Sequence, residues 1–149
     1  MATKKFDAGD FEFFLRLLPK SHGGVALRHA VEVRHESFAC EEFIALCRMQ
    51  DVAIIFAADS ELPLIPDLTA DFVYARLMGT KEKEKLGYPR AVIQKWAARA
   101  KDWAAGASPE KLGLLASPAP KKKRDVYVFF ISGAKARNPA AAMALIQSL

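Results

Sequence analysis

The spacing of hydrophobic and polar positions changes several times along the chain, and each change predicts an element. From Asp7 to Leu18, Phe11, Phe14, Leu15 and Leu18 recur at i, i+3, i+4 and i+7. That is the apolar stripe of a helix lying on a core, with Asp7 as N-cap and Pro19 as its stop. Ser21-His22-Gly23-Gly24 reads as a flexible turn. Ala30-Val31-Glu32-Val33-Arg34 reads as a strand. Ser37 is then expected to cap a helix through Met49, with Cys40, Phe43, Ile44 and Cys47 facing inward. Glu41 and Glu42 at its start and Arg48 at its end suit the helix dipole.

The next run, Val52-Ala53-Ile54-Ile55-Phe56-Ala57, is continuously apolar and ends near Asp59. Such a run marks a strand buried on both faces, as in parallel sheets. Phe72 to Leu77 reads as a third strand, and the charged segment Thr80 to Gly87 as an exposed loop. Pro89 opens a long helix that Gly106 closes, with Val92, Trp96, Ala100 and Trp103 on its apolar side. Residues 107–124 hold three prolines and two serines and are expected to form a flexible loop. Asp125 to Ile131 reads as a fourth buried strand, and Asn138 and Pro139 start a last, alanine-rich helix. The order is α-β-α-β-β-α-β-α, which predicts parallel strands joined by crossovers. A small open sheet satisfies that order, and so does half of an eight-stranded barrel.

Composition narrows the class. With 52% hydrophobic and 26% charged residues, 149 residues suffice for one domain, 1–149, with a core. No apolar run approaches the roughly 18 residues of a membrane span. Met1 to Phe6 leads into an acidic segment rather than the apolar stretch of a secretory signal. Two cysteines, Cys40 and Cys47, stand seven apart on one predicted helix, too far for a disulfide and read as core thiols. A reducing cytoplasm is the expected setting. No metal site is expected, since no Cys-x-x-Cys and no His pair at ligand spacing occurs. No cofactor is assigned.

The net charge is +5, but Lys121-Lys122-Lys123-Arg124 supplies four of those positives. The run reads as a solubilising loop before a strand rather than a nucleic-acid contact, since no aromatic residue interleaves it. Neutralising all four is expected to leave the fold intact.

Several segments carry a resemblance. Val31-Glu32-Val33-Arg34-His35-Glu36-Ser37-Phe38 resembles a signature strand of the bacterial and archaeal "domain of unknown function 72" family, also called YecE-like. Thr69-Ala70-Asp71-Phe72-Val73-Tyr74-Ala75-Arg76-Leu77-Met78-Gly79 resembles a second, and Trp96-Ala97, Asp125 to Phe130 and the Asn138-Pro139 helix resemble the family's end. The resemblance implies a TIM-like (β/α)8 barrel of about 250 residues, of which this chain matches the C-terminal half, strands five to eight. A gene fragment, a truncated reading frame or one part of a split protein would each explain that length. Two departures stand out: Met78 replaces the family's His before the glycine, and Ser132-Gly133-Ala134-Lys135 replaces its paired asparagines.

Strand alternation then sorts the side chains. Glu32 and Arg34 share one face, as do Tyr74 and Arg76, and an apolar helix-covered face must lie opposite each pair. Those four are therefore expected to point into the barrel, with Asp59 just past its strand's end. Glu32, Arg34, Asp59 and Arg76 are the candidate ligand-binding residues, suited to an anionic small molecule such as a phosphate or carboxylate. An interior ion-pair network is the alternative. Glu32 and Asp59 also allow, in principle, a carboxylate pair for glycoside chemistry. His35 is turned from Arg34 by alternation and is read as a loop or supporting residue. No catalytic residue is assigned. The rival to a ligand pocket is a non-catalytic remnant, or a half-barrel interaction module that pairs with another chain. Four strands leave two unpaired edges and an open face, so the isolated chain is expected to dimerise, bind a complementary half, or aggregate.

Overall fold

The computed structural model describes residues 4–108 and 110–149. Helix α1, Ala8–Leu17, starts at Asp7, whose carboxylate accepts from the Asp10 amide at 2.9 Å. Leu15 is its buried side chain, while Phe13, Phe14 and Leu17 stand in solvent. The predicted stripe is thus only partly covered. The expected flexible turn is instead a hairpin, in which β1, Ser21–His22, pairs with β2, Val25–Ala26. Gly23 and Gly24 between them both have positive φ, the geometry of a two-residue loop that glycine adopts without strain.

Strand β3 is Ala30–Val31, shorter than expected. The chain then makes a 3-10 turn, Glu36–Phe38, before α2, Glu41–Met49. Ser37 does not cap α2. Its amide hydrogen bonds to His35 Nδ1, and its hydroxyl accepts from the Phe6 amide. Extended backbone at Cys40 starts the helix instead, so Cys40 precedes α2 rather than lying on it.

The apolar run divides into two short strands. β4, Ala53–Ile54, pairs in parallel with β3, and β5, Phe56–Ala58, pairs in parallel with β6, Phe72–Leu77. The break has a local cause: the Thr69 hydroxyl donates to Val52 O at 2.7 Å and accepts the Ile54 amide at 3.1 Å. A side chain thus occupies backbone groups that a neighbouring strand would use. β6 pairs in parallel with β7, Asp125–Phe130, in unbroken register from Phe72 opposite Asp125 to Leu77 opposite Phe130. Helix α3, Arg90–Ala104, joins β6 to β7, and α4, Asn138–Ile146, follows β7. Among the described residues the architecture is mixed α/β, with parallel sheets and four α-helices.

Two cores hold it. Phe56, Val73, Ala75, Leu77, Ile93, Trp103 and Phe130 bury the sheet's helix face under α3 and α4. Phe38, Phe43, Ile44, Cys47, Ile54 and Ile65 bury α2, with Phe6 and Phe11 against them. The rings of Phe11, Phe38 and Phe43 meet at centroid separations of 5.0 to 5.9 Å, a spacing at which edge-to-face pairs add to burial.

The segment 107–124, expected as a flexible loop, is tied to the fold at several points. The buried Asp67 carboxylate accepts the amides of Leu115 and Ala116, both at 3.0 Å. Arg48 donates to Ser117 O. The basic run is not uniformly solvated either. Arg124 is buried and donates to Ala70 O, Lys122 O and Pro120 O. Burying a guanidinium requires such partners, so Arg124 is part of the folded interior and not of a solubilising run, unlike the three exposed lysines.

Candidate functional site

The strand parities come out as alternation required. On β6, Val73, Ala75 and Leu77 pack under the helices, and Tyr74 and Arg76 take the other face. On β7, Val126, Val128 and Phe130 join the core while Tyr127 and Phe129, with Ile131 just past the strand, remain exposed. β7 is therefore not buried on both faces. Helices cover one side of the sheet, and the other is open among the described residues.

Three of the four candidate residues meet. The Glu32 carboxylate accepts from Arg34 Nη2 at 3.0 Å and Nε at 3.3 Å, and its second oxygen is held by Arg76 Nη1. Two guanidinium groups thus share one carboxylate, which leaves a net charge of about +1 at the cluster. The Glu32 side chain is 12% exposed and that of Arg76 23%, whereas Arg34 is 64% exposed. Glu32 is therefore the buried hinge of the group, and Arg34 offers its remaining donors to solvent. Arg76 Nε is buried with no partner.

Asp59 belongs to a different network. Its Oδ2 accepts from the Tyr88 hydroxyl at 2.9 Å, and that hydroxyl accepts the Gly79 amide at 2.7 Å. Burial first, and the Asp59 carboxylate second, push the Tyr88 phenol above its usual range, so it stays protonated and keeps donating. Gly79 is required there: a Cβ on it would lie 2.7 Å from Asp59 Cβ and 2.9 Å from the Tyr88 oxygen. Glu32 and Asp59 thus sit in separate hydrogen-bond systems, Glu32 with the two arginines and Asp59 with Tyr88.

Sequence reasoning missed two features. The first is a polar knot past the ends of β6 and β7, where the Thr80 hydroxyl contacts Ser132 Oγ and donates to Asn138 Oδ1 at 2.6 Å. Ser132, read as a departure from the family pattern, is its central member, and Met78 beside it only donates its amide to Ala58 O. The second is an aromatic surface on the open face. Tyr74 stacks on Phe129 at 4.7 Å, and Arg28 lies over Phe72 and Tyr127 at 5.0 and 5.3 Å. Arg28 also bonds Asp125 and the Tyr127 hydroxyl. Arg28 precedes the predicted strand, so no periodicity marks it. His35 Nδ1 accepts the Ser37 amide at 3.1 Å.

A groove of about 690 Å³ lies between α1 and the extended segment after β3. Lys4, Lys5, Phe11, Phe13, Glu32 and Arg34 are among its walls, whereas Arg76 and Asp59 are not. It reaches the arginine cluster through Glu32 and Arg34. Among the described residues, no group of three His, Cys, Asp or Glu side chains gathers as metal ligands, and no helix is long and apolar enough to cross a membrane.

Comparison with known proteins places these features. The family model described as "Protein of unknown function DUF72" matches residues 2–149. No curated protein matches the sequence. Two solved structures are similar. A DUF72 family protein from Enterococcus faecalis superposes with a TM-score of 0.60 at 11% identity, covering 95% of this chain and 50% of its own. A DUF72 family protein from Thermotoga maritima gives 0.58 at 18% identity, covering 97% of this chain and 52% of its own. At such identities the likeness is one of fold, and this chain spans about half the length of both.

Proposed function

The chain belongs to the DUF72 family, and from that premise we propose that it forms half of a TIM-like (β/α)8 barrel holding an anionic small molecule near the C-terminal ends of its strands. The half-barrel reading rests on parallel strands that pair in chain order, with helices on one face. The match over half of each solved relative supports it. Barrel sites lie at the strands' C-terminal ends, and Arg76 is the penultimate residue of β6.

The ligand reading is carried by one observation: two guanidinium groups converge on a single carboxylate, so donor capacity exceeds what Glu32 can accept. Arg34 presents its fork outward, and a phosphate or carboxylate accepts such a fork through two oxygens. Lys4 and Lys5 on the groove wall add positive potential. Asp59, the fourth candidate residue, stands just past β5 and is held by Tyr88 in its own network. Two free cysteines, Cys40 and Cys47, suit a reducing, cytoplasmic setting.

Thermal unfolding with inorganic phosphate or succinate tests the reading. The expected result is a rise in Tm that saturates with ligand and is lost in Arg34→Ala, whose exposed side chain contributes little to folding. An unchanged Tm, or an equal rise in Arg34→Ala, would leave the cluster as an internal ion-pair network.

A further inference from the structure

We propose that the open face and both sheet edges are closed by a second copy of this chain, related by a two-fold axis along the barrel. This inference does not depend on the anionic ligand.

The first support is area. A compact monomer of 16.4 kDa exposes about 7,500 Å², whereas this chain exposes 9048 Å². The excess, roughly 1,500 Å², is the share each partner of an obligate dimer buries.

The second support is where that surface lies. At one end of the sheet, α1 exposes Phe13, Phe14 and Leu17 beside β3. At the other end, α4 exposes Met143 and Ile146 beside β7, and Leu149 just past the helix is exposed as well. Among the described residues both adjoining strands keep a free edge. His29 O and Val31 O bond toward β4, so alternation leaves the backbone groups of Ala30 and Glu32 outward. The Ile131 amide bonds Leu77 O, so by the same alternation Val126, Val128 and Phe130 face outward on β7.

One chain therefore carries two different unpaired ends, each with an apolar helix stripe and a parallel strand edge. A rotation of half a turn about the strand direction keeps every strand parallel. It brings β7 of one copy beside β3 of the other and α4 beside α1, twice over, and leaves no edge. The exposed Tyr127, Phe129 and Ile131 of each copy then face the enclosed interior. A second copy also adds about as many residues as each solved relative has beyond the matched half.

Sedimentation equilibrium of the 149-residue protein at micromolar concentration tests this, with a mass of twice 16.4 kDa expected. Leu17→Glu on α1 and Ile146→Lys on α4 change side chains that are 65% and 67% exposed, so the protomer's far-UV circular dichroism should not change. Each alone is expected to weaken the dimer by about tenfold or more. The two together in one chain place Glu against Lys at both contacts and should recover most of that loss. Met143→Lys is a second α4 probe should Ile146→Lys alter the spectrum. A monomer, an open-ended polydisperse species, or variants that leave the dimer intact would each overturn the proposal. So would a closed assembly formed only with a different chain.

Discussion

The two faces of strand β7 are built from equally apolar residues and have opposite fates. Val126, Val128 and Phe130 sit under α3 and α4, while Tyr127, Phe129 and Ile131, their immediate neighbours, remain near 40% exposed. Hydrophobicity alone does not separate them. What separates them is whether a covering layer lies over them, and among the described residues one lies only on the helix side. The open face compensates locally: Tyr74 stacks on Phe129, and Arg28 spreads over Phe72 and Tyr127. These contacts shield rings from water without enclosing them.

The strongest way to break the comparison is to truncate one large side chain on each face. Trp103 is 1% exposed and packs on Phe56 at 5.2 Å. Trp103→Ala should cost roughly 3–5 kcal/mol by urea unfolding, the range for a large buried aromatic. Phe129→Ala should cost about 1 kcal/mol or less when measured on the protomer, because little area is removed from water there. Equal losses would mean that the open face is already covered.

A smaller effect contrasts covered with open inside the basic run. Arg124→Ala leaves three carbonyls without their donor and should cost about 2–3 kcal/mol. Lys121→Ala, Lys122→Ala and Lys123→Ala together should stay within about 0.5 kcal/mol per site. Thermal denaturation of the two variants side by side distinguishes a structural arginine from a solubilising run.

The smallest effect separates the two cysteines. Cys47 is fully buried, and desolvation pushes its thiol from 9.0 up to about 12. A raised folded pKa favours the neutral thiol in the native state. Its contribution is therefore full below pH 9.0 and is lost as pH rises from there through about 12. Iodoacetamide should label the half-buried Cys40 in the native protein and Cys47 only after unfolding. In Cys47→Ala the fall in stability above pH 9.0 should be shallower. Rapid native labelling of Cys47 would show that the α2 core opens readily.

Much of this was readable in advance, for identifiable reasons. The period-2 pattern of β6 placed Tyr74 and Arg76 opposite Val73, Ala75 and Leu77, because a sheet face next to helices must be apolar. The same parity, applied to Glu32 and Arg34, brought three of the four candidate ligand residues to one cluster. Asp59 eluded it, since its backbone turns to positive φ just after β5 and strand alternation ends there. The Ser37 cap failed because Ser37 spends its hydroxyl on Phe6 and its amide on His35, partners that only the folded chain provides. Arg28 and Arg124 look like any surface cations in sequence.

By itself, then, the order of residues determined where the four helices and the main strands lie, which side of β6 faces the helices, and which family the chain resembles. Those properties follow from backbone geometry and local period, and they need no distant partner. The tertiary structure alone decided which charges are buried, which carboxylate meets which cation, and where the apolar run breaks. Asp67 reaches Leu115 across 48 residues, Arg76 reaches Glu32 across 44, and Arg124 reaches Ala70 across 54. Interactions that close such loops carry no local signature, because the partner is selected by packing geometry rather than by its neighbours in the chain.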